Sequence, residues 1–129
     1  MKDSRLWTSL PALLRDLGLP TNPLRVLIVE DDGHVREGLA AALRRLGHLT
    51  DTREGVEGSE LPLSGYDLAF LDNYFLSKTL TGVSLTPELR QSCPPIVIVG
   101  MSSEAAKNEE MVRLGANLGL LKREVRRFL

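Results

Sequence analysis

Cysteine, aromatic rings and net charge are all scarce in this 129-residue chain. A single cysteine, Cys93, rules out an internal disulfide and a zinc cage built from thiolates. Aromatic residues make up 5% of the chain, and 16 Lys and Arg face 17 Asp and Glu, for a formal charge of −1. That balance argues against a domain held to nucleic acid mainly through phosphates. No apolar run approaches the roughly 20 residues of a membrane span. Pro11, Arg15 and Asp16 interrupt the N-terminal leucines, so the start does not read as a signal peptide, and the expected compartment is the cytoplasm. What remains is ordinary for a soluble protein. Hydrophobic residues are 43% and charged residues 26%, and the length suits one domain with a substantial core.

Four continuous apolar segments read as strands buried on both faces: Arg25–Glu30, Tyr66–Asp72, Pro95–Gly100 and Leu118–Leu121. A weaker fifth, Leu49–Arg53, suits a sheet edge. Helical patterns alternate with them. Val35, Leu39, Ala42, Leu43 and Leu46 form an amphipathic stripe stopped by Gly47. Thr86 before Pro87 reads as a cap and first turn. Ser103 to Leu114 reads as a helix ended by Gly115. Alternation predicts one more helix in Val56–Gly65, shortened by Gly58, Pro62 and Gly65. Strand–helix alternation implies right-handed βαβ units and a doubly wound parallel sheet with helices on both faces.

The carboxyl ends of such strands form the ligand edge of an open α/β sheet. Glu30-Asp31-Asp32, Asp72, Ser102-Ser103 and Lys122 all fall there. Clustered carboxylates repel unless a proton or cation intervenes, and hard oxygen ligands favour Mg2+. A lysine and a hydroxyl can stabilise phosphoryl oxygens, and an Asp carboxylate is a competent nucleophile. The set reads as a Mg2+-assisted phosphoryl acceptor. Each residue also has a plainer reading. Asp31 and Asp32 can cap a helix, Asp72 can sit in a turn, Ser102 and Ser103 can both be caps, and Lys122 can be a solvated charge. His34 and His48 lack ligand spacing and read as surface residues.

From Leu24 to about Phe128 the chain resembles the receiver domain of two-component response regulators. The matching pieces are Val29-Glu30-Asp31-Asp32, Asp67–Asp72, Gly100-Met101-Ser102-Ser103, and Gly115-Ala116-Asn117 through Lys122. The resemblance implies a flavodoxin-like five-stranded sheet of order 2-1-3-4-5. It implies Asp72 as phosphoacceptor. Mg2+ would be held by Asp31, Asp72 and the Tyr74 backbone carbonyl, with Glu30 acting through water. Ser102 and Lys122 would bind the phosphoryl group, although a one-residue shift exchanges Ser102 with Ser103. Tyr74 and Glu104 occupy the positions that tune hydrolysis, where they can shield the phosphoryl group or position water. The implied donor is a sensor histidine kinase or a phosphotransfer protein. With no output domain in the sequence, the reader is an unknown downstream protein rather than nucleic acid or membrane, and the role is a switch rather than a turnover enzyme.

Several positions depart from the family pattern. Phe75-Leu76 replaces a Met-Pro pair, and Gly82 stands ten residues after Asp72, so this loop is two residues longer. Arg123 replaces the proline after the lysine, Gly119 replaces the aromatic switch residue, and the last helix is truncated. A pseudo-receiver, an unswitched protein-binding module, is the alternative these losses raise. Residues 1–22 form an extension before the 23–129 receiver. Its stripe Leu6, Leu10, Leu13, Leu14 and Leu17 has helical spacing, provided the helix starts near Ser9 so that Pro11 is tolerated. The expectation is that this helix covers the face left bare by the short last helix, in cis or across a homodimer, and that phosphorylation is read through this end. A disordered tail is disfavoured by five leucines at that spacing.

Overall fold

The computed structural model describes residues 7–19 and 23–129, so Leu6 and part of the Gly18–Pro23 connection lie outside the described residues. The strands are β1 (Arg25–Val29), β2 (Leu49–Arg53), β3 (Leu68–Leu71), β4 (Val97–Gly100) and β5 (Leu118–Gly119). They form one parallel sheet in the order β2-β1-β3-β4-β5, a flavodoxin-like arrangement. The helices are α1 (Leu10–Asp16), α2 (Gly33–Arg45), α3 (Gly82–Ser92), α4 (Ala105–Arg113) and α5 (Val125–Phe128).

Strand side chains alternate between two cores, as the pleat requires. Val26, Ile28, Leu68, Phe70, Val97 and Val99 point to one face, where Leu39 and Leu43 of α2 and Val125 and Phe128 of α5 cover them. Leu27, Val29, Ala69, Leu71 and Ile98 point to the other, against Leu85 and Leu89 of α3 and Met111 of α4. Burial on both faces explains why these strands read as unbroken apolar runs.

The N-terminal segment belongs to the first core. Ser9 caps α1 by accepting from the Ala12 N–H at 3.3 Å, which places Pro11 in the first turn, where its missing N–H costs nothing. Leu10, Leu13 and Leu14 are buried against the α2–α5 face, and Trp7 packs beside them. Leu17 is exposed, so the stripe is three leucines deep within the described residues. α5 is one turn long, and the α1 leucines belong to the same core as its Val125 and Phe128.

Some expected elements differ. Val56–Gly65 holds only a 3-10 turn, Gly58–Glu60. The helix expected at Thr86 starts earlier, at Gly82, capped by Thr81, with Pro87 inside it. Thr86 is buried and donates its hydroxyl to the Gly82 carbonyl at 2.7 Å, one turn back. Leu46 lies beyond the end of α2 and is exposed.

His48 is buried rather than superficial. Its Nδ1 accepts from the Leu24 N–H at 3.0 Å, and burial pulls its pKa below the ordinary value. The unfolded chain therefore takes up a proton near pH 6.5 that the folded chain refuses. Stability from this group is complete above about pH 6.5 and is lost as pH falls through the window below it. Melting curves of wild type and His48→Asn should show the wild type losing more stability between about pH 7.5 and pH 5. Parallel losses would show that His48 does not titrate against folding.

Candidate functional site

Parallel strands bring their carboxyl ends to one edge, and the acidic residues meet there. Glu30 follows β1 and is fully buried. Its Oε1 accepts from Lys122 Nζ at 2.9 Å and from the Asp32 N–H at 3.2 Å. Lys122 Nζ also lies 3.3 Å from Asp72 Oδ1, at the end of β3. The peptide bond from Lys122 to Arg123 is trans, so the ammonium reaches the site without proline at 123. Asp72 is buried, and carboxylate oxygens of Glu30, Asp31 and Asp72 lie within 4.8 Å of one another.

Three carboxylates against one ammonium leave two negative charges, the complement of a divalent cation. Among the described residues, Glu30 Oε2 is a buried side-chain oxygen with no hydrogen-bond partner. A buried carboxylate oxygen left unpaired is costly, and a cation with its water shell would satisfy it. The donor set therefore fits Mg2+, with exposed Asp31 as the accessible ligand. Burial pushes the Glu30 carboxyl pKa up; the Lys122 hydrogen bond opposes that rise, and the Asp72 charge adds to it. Burial also works against the Lys122 charge, but Glu30 and Asp72 outweigh it and raise the lysine pKa, so Lys122 stays an ammonium.

The backbone around the carboxylates is held in place. Asp32 caps α2, accepting from the His34 and Val35 N–H groups at 2.9 and 3.3 Å, which leaves Asp31 for the site. Arg36 donates to the carbonyls of Glu30 (2.9 Å) and Asp31 (3.3 Å). Asn73 accepts from the N–H groups of Gly82 and Val83, tying the long β3–α3 loop to the start of α3. A Cβ at Gly82 would sit 2.3 Å from the Asp72 carbonyl oxygen, so only glycine fits beside Asp72. Ser102, after β4, is buried, whereas Ser103 is exposed and caps nothing, because α4 begins after Glu104.

No family model and no curated protein matches this sequence. Solved structures do. The receiver domain of NtrX from Brucella abortus is 25% identical, with 75% of this chain and 84% of that one covered and a TM-score of 0.61. A response regulator from Burkholderia pseudomallei, solved with a phosphorylated aspartic acid, a calcium ion and citrate, is 21% identical over 77% of this chain, with a TM-score of 0.66. A CheY-like receiver domain protein from Methanospirillum hungatei is 16% identical, with 82% and 86% covered and a TM-score of 0.66. This chain folds as a response-regulator receiver domain.

The receiver spans only part of several of these proteins: 24% of a longer NtrX chain, 59% of the Burkholderia chain and 46% of DrrB from Thermotoga maritima. Among its described residues no helix is long and apolar enough to cross a membrane. At the mouth of the acid site, Tyr74 OH donates to Glu104 Oε2 at 2.9 Å, joining the loop after β3 to the loop after β4. Arg36 and Asn108 are the site-building residues that sequence patterning misses. Arg36 stands one helical turn after the capping Asp32, and that spacing is its only signal. Asn108 looks like an ordinary polar helix residue until its partners are seen.

Proposed function

We propose that this receiver accepts a phosphoryl group on Asp72, with Mg2+, from the phosphohistidine of a sensor histidine kinase or phosphotransfer protein in the cytoplasm. A second protein then reads the modified surface. The observation that carries this reading is the placement of Lys122 Nζ between Glu30 and Asp72 with Asp31 alongside. A carboxylate oxygen of Asp72 attacks phosphorus in line as the phosphorus–nitrogen bond of the donor breaks. The donor imidazole keeps that electron pair together with its proton. Lys122 pairs with the phosphoryl oxygens, and the Ser102 hydroxyl donates to one of them. Asp31, Asp72 and the Tyr74 carbonyl would hold Mg2+ directly, and Glu30 through water. When bound, the ion neutralises charge on the phosphoryl oxygens. The product is an acyl phosphate, so the chain acts as a switch with a lifetime rather than as a turnover enzyme.

Acetyl phosphate with Mg2+ tests the proposal by intact mass. Wild type should gain one phosphoryl group, lose that capacity in EDTA, and fail to label as Asp72→Asn. Labelling of Asp72→Asn at the wild-type level would overturn the acceptor assignment. Asp31→Asn should weaken Mg2+ binding by about tenfold or more, because a direct ligand is lost. A wild type that neither labels nor binds beryllofluoride with Mg2+ would be a pseudo-receiver.

The Tyr74–Glu104 bridge sets the lifetime under this reading. Its hydrogen bond joins the loop after Asp72 to the loop after Ser102, two residues beyond each. A bond of this kind contributes roughly 1 kcal/mol, or about fivefold in a rate. Tyr74→Phe should therefore shorten the phosphorylated lifetime by about that factor once donor is removed. Equal decay in wild type, Tyr74→Ala and Glu104→Ala would end this role.

A further inference from the structure

Asn108, on α4, is 5% exposed and makes three hydrogen bonds through its carboxamide. Oδ1 accepts from the Ser102 N–H at 2.8 Å. Nδ2 donates to the Ser102 carbonyl at 3.0 Å and to the Leu120 carbonyl at 2.9 Å. One side chain thus holds both backbone groups of Ser102, much as a neighbouring strand would. The same group anchors the chain two residues before Lys122. The slot for it is built by glycine. A Cβ at Gly119 would lie 2.7 Å from Asn108 Cβ, and one at Gly100 would lie 3.3 Å from its Oδ1.

We infer that Asn108 is a positioning residue for phosphoryl capture, fixing the spacing between Ser102 and the Lys122 segment; the inference rests on the phosphoacceptor reading above. The β4–β5 pairing ends at Gly100 and Gly119, and the Leu120 N–H to Gly100 carbonyl bond is the last backbone link between the two exits. Beyond that link, the described contact joining Ser102 to the Leu120–Lys122 segment is the Asn108 amide. Ser102 Oγ accepts from the Glu104 N–H at 3.0 Å, which leaves its proton free to donate to a phosphoryl oxygen. Where that proton points depends on backbone that Asn108 holds at both ends. The amide is matched in polarity, with its oxygen on an N–H and its nitrogen on two carbonyls. A carboxylate in the same place would set oxygen against both carbonyls.

The prediction separates positioning from general support of the fold, because Mg2+ binding depends on Asp31 and Asp72, which Asn108 does not touch. Asn108→Ala and Asn108→Asp should bind Mg2+ within about twofold of wild type by calorimetry. At saturating Mg2+, their beryllofluoride affinity and acetyl phosphate labelling rate should fall about tenfold or more, since small misplacements of reacting groups cost that much. Gly119→Ala, which crowds Asn108 without removing its amide, should show the same split to a lesser degree. Parallel losses in Mg2+ and beryllofluoride binding, unchanged beryllofluoride binding, or unfolding of all three variants would overturn the positioning role. A wild type that binds Mg2+ but never beryllofluoride would instead overturn the phosphoacceptor reading on which it rests.

Discussion

Leu13→Ala should lower stability by about 2–5 kcal/mol, the usual cost of emptying a filled leucine site in a core. Leu13 is fully buried under the α2–α5 face, with Leu10 and Leu14 beside it. Burying a leucine contributes roughly 1.5–3 kcal/mol, so these three match a large part of a domain stability of about 5–15 kcal/mol. The melting temperature should fall on the order of 10 °C. Leu17→Ala is the internal control. It belongs to the same stripe in the sequence, but Leu17 is 39% exposed, so its change should stay within about 0.5 kcal/mol. Because α1 packs within its own chain, the melting temperature should not depend on protein concentration. Equal stability of Leu13→Ala and wild type would show that α1 is not part of the core. A concentration-dependent midpoint would point to exchange of α1 between chains.

α1 and α5 contribute to one core. Val125 and Phe128 bury a single turn of α5 against α2, and α1 supplies the leucines that extend this cover. The Trp7 indole N–H donates to Asp16 Oδ2 at 2.9 Å, closing α1 end to end. α5 follows Lys122 directly through the 3-10 turn Lys122–Glu124. A shift of Lys122 toward a phosphoryl group would therefore reach α5 and the core that α5 shares with α1. That continuity supports the proposal that the modification is read through this end.

The parts of this fold that are legible in sequence are those whose cause is local. β1 and β4 are apolar on both faces, so composition alone marks them, and β2 keeps its Leu49–Arg53 limits because its threonines suit an edge. The acidic site is legible because a parallel sheet must gather its strand ends. The Val56–Gly65 region is not, because its shape comes from partners about twenty residues away. The Glu57 carboxylate accepts from the Lys78 N–H at 2.9 Å, the Thr79 N–H at 3.2 Å and Ser77 Oγ at 3.0 Å. That contact ties the segment with the 3-10 turn Gly58–Glu60 to the loop after β3, where alternation alone predicts a longer helix. Thr86 misleads for the opposite reason: Thr-Pro is a good local start signal, but Thr81 with Ser84 makes a reciprocal cap one turn earlier. Asn108 carries no local signature and Arg36 only its spacing from Asp32, since each acts on backbone outside its own helix.

Lys122→Met should uncouple the charge balance of the site and make stability fall as pH rises. Lys122 donates to Glu30, which is fully buried and has no other charged donor among the hydrogen bonds to its carboxylate. Removing one partner of a buried pair typically costs about 3–5 kcal/mol, because the remaining charge is stranded. Glu30 can escape by taking a proton. Its pKa is already raised in the folded chain, burial being the largest cause, and loss of the lysine raises it further. The sign follows from that direction. A carboxyl with a raised folded pKa favours the native state below its unfolded value, and this contribution is lost as pH climbs through the folded one. In EDTA, Lys122→Met should therefore melt closer to wild type near pH 5 than near pH 8, and the gap should widen steadily between them. Adding Glu30→Gln should remove most of that pH dependence, because the amide has no proton to lose. If the single variant shows the wild-type pH profile, Glu30 does not depend on Lys122 for its charge. If the double variant keeps the slope, another group is responsible for it.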